Sequence, residues 1–242
     1  IWNTGGQHSN YTPKHIIKAP EEQDVVMTYL NVQNNSSNYT VELRLGDGTL
    51  LGTYLSRHNG VWDSDLGLGV RVPALSQVAK RYAQISWADL SGFMCSQYHE
   101  VRYLALAILI GWRRKNKVDL DQGLNFYVDH LSGVNHWDLV DLSAPNLLGE
   151  KLLQEPTYDL SQWTCSDNPW VRRVALVSHL RPVRDGRLSE FLNIAPTYFK
   201  DPFCLNNKAL GWVLRELGKK DQQVLLDFIK THGAQMPRVT LN

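Results

Sequence analysis

One helical string recurs along this chain: Glu100-Val-Arg-Tyr-Leu-Ala-Leu106 lines up with Trp170-Val-Arg-Arg-Val-Ala-Leu176 at an offset of 70 residues. His136-Trp-Asp-Leu-Val-Asp141 falls midway, 35 residues after Val101, and Ala209-Leu-Gly-Trp-Val-Leu214 begins 38 beyond Val171. In each string the apolar residues sit three and four apart, which puts them on one side of an α-helix. A period of 35 to 40 residues leaves room for two helices per unit. Neither helix of such a unit can bury its apolar face alone, so successive units must stack.

The pattern predicts inner helices at 101–112, 137–148, 170–180 and 208–217, alternating with outer helices in the more polar segments at 121–130 and 156–164. The fold class expected is therefore all-α, a HEAT-like helical-repeat solenoid whose inner helices line a concave face suited to duplex DNA. Architecture alone favours a protein-binding scaffold. Residues 1–66 differ in kind. They are polar and rich in Asn, Gly and Ser, and the alternation on either side of Asp47-Gly48 predicts a small β-hairpin. The chain thus reads as a divergent N-terminal segment, 1–66, followed by the repeat domain, 67–242.

Charge is uneven. The formal net charge is only +1, but from Trp170 onward twelve Lys/Arg face six Asp/Glu. A localised positive face is what a polyanion binder needs, because neutralised phosphates release counterions; a solvated helix surface has the same composition. The longest apolar run, Leu104 to Ile110, is too short to span a membrane, and no basic-then-apolar leader opens the sequence. Cys95, Cys165 and Cys204 are odd in number and widely spaced, which suggests neither a disulfide framework nor a metal knuckle. The histidines are scattered away from metal-ligand spacing. These features predict a cytoplasmic protein without metal or membrane.

Three strings carry residue types that a purely structural helix would avoid. In Asn135-His-Trp-Asp-Leu-Val-Asp141, Trp137 and Asp141 are four apart and share one helix face. Asp141 then either caps a helix, pairs with Arg172 or Arg173, or offers its carboxylate to a ligand. In Asn168-Pro-Trp-Val-Arg-Arg-Val-Ala-Leu176, Pro169 suits a helix start and the adjacent arginines point to different sides. In Lys208-Ala-Leu-Gly-Trp-Val-Leu-Arg-Glu216, Gly211 in a helix interior suggests the close approach of another helix. Singly, Trp212 reads as a core aromatic and Arg215 as a surface cation.

Together these strings resemble the AlkD-type bacterial alkylpurine DNA glycosylases, a HEAT-like repeat family of DNA alkylation repair. Leu68-Gly-Val-Arg-Val-Pro73 and Met236-Pro-Arg238 look like further blocks of it, so the resemblance covers roughly residues 60–242. It implies excision of cationic bases such as 3-alkyladenine and 7-alkylguanine from duplex DNA by a monomer without a cofactor. Position by position it implies Asp141 as the catalytic carboxylate, Trp137, Arg173 and Trp212 as residues that hold the damaged nucleotide, and Arg215 and Arg172 as contacts to the DNA backbone. The residue types suit that chemistry. A departing alkylpurine leaves an oxocarbenium-like sugar, and aromatic faces and a carboxylate both favour positive charge. The same residues also permit a non-catalytic helical-repeat protein that binds distorted or branched DNA.

Overall fold

The computed structural model describes residues 70–241, preceded by the backbone of three strands. It divides into two compact units, Ile1–Gly111 and Trp112–Asn242. The boundary expected near residue 66 falls among residues 58–69, outside the described ones.

In the first unit β1 (Met27–Thr28), β2 (Asn38–Arg44) and β3 (Leu50–Arg57) form an antiparallel sheet in that order. β2 and β3 are the two arms of the expected hairpin. Thr40 pairs with Leu55 and Glu42 with Thr53, and the register breaks between Leu43 and Arg44. From Val70 onward every regular element described is helical, as an all-α class requires. The first helix, α1 (Val72–Arg81), starts on Pro73, which fixes a helical φ where no amide partner is needed. α2 (Trp87–Met94) starts on a capping box, in which Ser86 Oγ accepts from the Asp89 amide at 3.1 Å and the Asp89 side chain accepts from Ser86 in return. α3 (His99–Arg114) is buried along most of its length, as its all-round apolar sequence requires.

The second unit continues with α4 (Leu120–Asp129), α5 (Trp137–Ser143), α6 (Leu148–Gln154), the single turn α7 (Ser161–Thr164) and α8 (Pro169–Ser178). After these come α9 (Leu180–Arg184), α10 (Ser189–Ile194), α11 (Cys204–Lys220) and α12 (Gln222–His232), and a 3-10 turn at Arg238–Thr240. Two expectations need correcting. The helix expected over 137–148 is two helices, because Pro145 lacks an amide for the ladder and the chain crosses it in a 3-10 turn, Ala144–Asn146. The segment expected as a helix over 156–164 is mostly irregular. The Asp159 carboxylate accepts from both the amide and the hydroxyl of Ser161, so the chain turns there before one short turn of helix.

α8 lies at the centre of this unit, in contact with α5, α6, α7 and α11. Asn168 caps it by accepting from the Trp170 amide at 2.9 Å. Val174, Leu176 and Val177 are wholly buried, each contributing about 1.5–3 kcal/mol by leaving water. Polar links also run between elements about one predicted period apart. Lys151 reaches Asp121, Arg181 reaches Glu150 and Arg184 reaches Glu216. Glycine permits two close approaches. A Cβ on Gly149 would lie 2.6 Å from the Ser178 carbonyl oxygen, and one on Gly211 would lie 2.6 Å from that of Thr240. The neighbour expected at Gly211 is therefore the backbone of the 3-10 turn, fastened by Thr240 Oγ1 donating to the Asn207 carbonyl at 2.9 Å.

The end of α8 carries an acid-sensitive group. His179 is buried, and its Nδ1 lies 2.8 Å from the Ala175 carbonyl, which can only accept, so Nδ1 holds the proton of a neutral ring. Burial pushes the imidazole down from 6.5 to about 4. Between those values the unfolded chain takes up a proton that the folded chain refuses. Stability contributed at neutral pH is therefore lost as the pH falls from about 6.5 towards 4, by on the order of 3 kcal/mol. The carboxyls of Glu190, Asp201 and Glu216, held below their usual values, lose their contribution only at still lower pH. Urea midpoints measured from pH 7 to 4.5 should fall across this window. A flat profile would show that His179 titrates normally.

Candidate functional site

Trp137 opens α5 and stands 46% exposed, unusual for so large an apolar ring. Its orientation is set by the residues around it. His136, the N-cap, is in extended conformation and buried, with Nδ1 2.6 Å from the Asp138 carboxylate. The His136 ring lies 5.5 Å from that of Trp137 and 6.0 Å from that of Trp170. Trp170 in turn meets Phe203 edge-on at 5.0 Å. A row of aromatic rings thus runs from α5 across the first turn of α8 to the residue that precedes α11.

One turn along α5 from Trp137, Asp141 meets Arg173 of α8. Arg173 Nη2 donates to both carboxylate oxygens, at 2.9 and 3.1 Å, and Nε donates to Oδ1 at 3.1 Å. The remaining guanidinium nitrogen, Nη1, donates to the Leu205 carbonyl in the first turn of α11. The side chain of Arg173 is 6% exposed and that of Asp141 20%. Burial raises the Asp141 carboxyl above its ordinary value, and the charge and hydrogen bonds of Arg173 pull the other way. Asp141 is thus held rigidly by one edge while its charge remains under-solvated, the condition in which a carboxylate attracts a cation most strongly.

Of the two pairings open in the sequence, the structure has the one with Arg173. Arg172 turns to the other side and is engaged by Asp201, with Nε 2.8 Å from Oδ2 and Nη2 3.0 Å from Oδ1, while Nη1 donates to the Ser166 and Asp167 carbonyls. All three nitrogens of the Arg172 guanidinium are thus engaged within the fold. Trp212 and Arg215 stand on α11, on one stripe with Lys208 and Lys219. They line an open groove of about 550 Å³ whose wall includes Met236 and Leu241. Lys208 and Arg215 are exposed, and neither is ion-paired among the described residues. The structure brings Asp141 and Arg173 into contact, with Trp137 one turn from Asp141 on α5, and places Trp212 with Arg215 on α11, which packs against α8. Sequence reasoning assigned no role to His136 and passed over Asp201. The signal for His136 was its adjacency to Trp137; for Asp201 there was none.

Residues 56–242 match the family described as DNA alkylation repair enzyme. The chain belongs to that family. Its solved structural relatives include a predicted DNA alkylation repair enzyme from Enterococcus faecalis, with a TM-score of 0.61 and 18% identity over 75% of this chain and 87% of that one. At that identity the likeness concerns the fold. No curated protein matches the chain. Membership in the DNA alkylation repair family assigns the chain to repair of alkylated DNA and implies an enzyme. Among the described residues, no helix is long and apolar enough to cross a membrane.

Proposed function

We propose that this protein is a DNA N-glycosylase that hydrolyses the bond between deoxyribose and a cationic alkylpurine, 3-alkyladenine or 7-alkylguanine, in duplex DNA. The observation that carries the proposal is the Asp141 carboxylate, partly buried, raised in proton affinity and fixed by Arg173 one turn from the exposed Trp137. In such a base the ring already bears a positive charge. When the C1′–N9 bond breaks, its electron pair goes to the base, which departs neutral and needs no general acid. The sugar is left as an oxocarbenium ion. Asp141 stabilises that charge and orients a water whose oxygen bonds to C1′, and a carboxylate with raised proton affinity is suited to receive the proton released. Trp137 and Trp212 offer ring faces to the charged nucleotide.

In this reading Arg173 acts through Asp141. With its guanidinium shared between Asp141 and Leu205, it serves to hold the carboxylate, and the phosphate contacts fall to the exposed Arg215 and Lys208. The second reading is a non-catalytic binder of distorted DNA. The near-complete burial of Arg173 favours it, since an ion pair that only ties α5 to α8 would look the same.

Release of free base from duplex DNA carrying a single 7-methylguanine separates the two. Base release above the spontaneous rate is the expected result, with DNA affinity that weakens steeply as salt rises because phosphates are neutralised on binding. Salt-sensitive binding without release would decide for the second reading.

A further inference from the structure

Arg172 and Arg173 are consecutive residues on α8 with separate carboxylate partners, and the group that keeps them apart is Asp201. It lies between the 3-10 turn Ala195–Tyr198 and α11, with its side chain 3% exposed. Oδ1 accepts from the Phe203 amide at 2.8 Å and from Arg172 Nη2 at 3.0 Å, and Oδ2 accepts from Arg172 Nε at 2.8 Å and from Asn206 Nδ2 at 2.9 Å. A carboxylate has about four acceptor directions, so this one is saturated and cannot rotate without breaking a bond. Burial pushes its carboxyl upward, but those donors outweigh burial and hold it below the usual range, so it stays ionised.

The saturation has a geometric consequence. Asn206 Nδ2 also donates to the Pro169 carbonyl at 3.2 Å, and Tyr198 Oη donates to the Arg172 carbonyl at 2.9 Å. The first turn of α8 is therefore bolted to the first turn of α11 and to the segment that leads into it. The next rung along is Arg173 to the Leu205 carbonyl, since Arg173 follows Arg172 and Leu205 precedes Asn206. Arg173 in turn carries Asp141, while α11 carries Trp212 two turns on. Because Arg172 has its own carboxylate, Asp141 faces one guanidinium and not two, which leaves part of its charge for a ligand.

We infer that Asp201 is a positioning residue of the cleft, which fixes the α8–α11 junction so that Arg173 holds the Asp141 carboxylate and α11 presents Trp212. The inference rests on the reading of those residues as the cleft of a glycosylase, but its test has an arm that does not. In the full chain labelled with ¹⁵N, the Arg173 Nε–H should be protected from exchange with water by its bond to Asp141. In Asp201→Asn, which keeps size but removes the charge, the Arg173 Nε–H should exchange at least about tenfold faster although Asp201 never touches it. Single-turnover base release should fall at least about tenfold while the dissociation constant for the same duplex changes less than about threefold.

Asn206→Ala, which cuts the link to Pro169 and keeps the Asp201 charge, should move both readouts in the same direction by less, and it serves where Asp201→Asn does not fold. Arg173 Nε–H exchange equal to that of the native protein in the folded variants would overturn the inference. So would a release rate that drops only in step with the folded fraction. If the native protein releases no base while the variants still unlock Arg173, the glycosylase reading fails and the positioning role stands.

Discussion

Asp141→Asn is expected to stop base release while leaving the protein on DNA. The substitution keeps shape and removes the negative charge that would meet the oxocarbenium sugar and accept the proton of the attacking water. Loss of one electrostatic group of this kind slows chemistry by about 10²–10³-fold. Affinity for the duplex should hold or improve, because a negative charge disappears from a surface that faces phosphates. Stability moves the other way. Arg173, 6% exposed, loses its counter-charge and retains a neutral amide oxygen and the Leu205 carbonyl. Leaving the buried guanidinium with neutral acceptors only costs on the order of 1–3 kcal/mol, less than removing the partner outright, and Asp141 was itself under-solvated. Single-turnover release of 7-methylguanine and a urea melt of the same preparation check both halves. Release within about threefold of the native rate would remove Asp141 from the chemistry.

The order of helices was legible in the sequence wherever a local signal existed. Asn168-Pro169 marks the start of α8, and the cap and the fixed φ are both there. The hairpin was legible from alternation alone, and β2 and β3 flank Asp47-Gly48. What escaped were decisions taken over long distances. Arg172 and Arg173 are the same residue type in the same helix, and nothing local says which one meets Asp141. Asp141 lies 32 residues before Arg173 and Asp201 lies 29 after Arg172, so the choice belongs to packing and not to pattern. The polar stretch at 156–164 shows the converse. Its spacing suits a helix, but side chains that bond the local backbone, with Leu160 the one buried residue of the stretch, leave it mostly a turn. Gly211 gave a correct warning of close approach and could not say that a backbone turn, rather than a helix, does the approaching.

Arg173→Met tests whether the carboxylate is held or merely paired. Methionine fills most of the same volume and makes none of the four bonds that Arg173 makes to Asp141 and the Leu205 carbonyl. Removing one partner of a buried ion pair costs about 3–5 kcal/mol where both ions are fully buried. With the Asp141 side chain 20% exposed, the expected loss here is about 2–4 kcal/mol. The change also has a sign in pH. Burial and Asp138 raise the Asp141 carboxyl, and Arg173 is the largest influence pulling it down. Without Arg173 it rises further, so the folded variant takes up a proton at a pH where the unfolded chain does not. Its stability deficit should therefore shrink as the pH falls through that raised value. Base release should respond in the opposite sense, since it needs the ionised carboxylate: the acid limb of the rate profile moves to higher pH. Arg173→Lys, which returns the charge without the fork of donors, should recover the position of the limb more than the rate, because charge sets the proton affinity and the fork sets the geometry. A Met variant with the native acid limb would mean that Arg173 and Asp141 are coupled in packing alone.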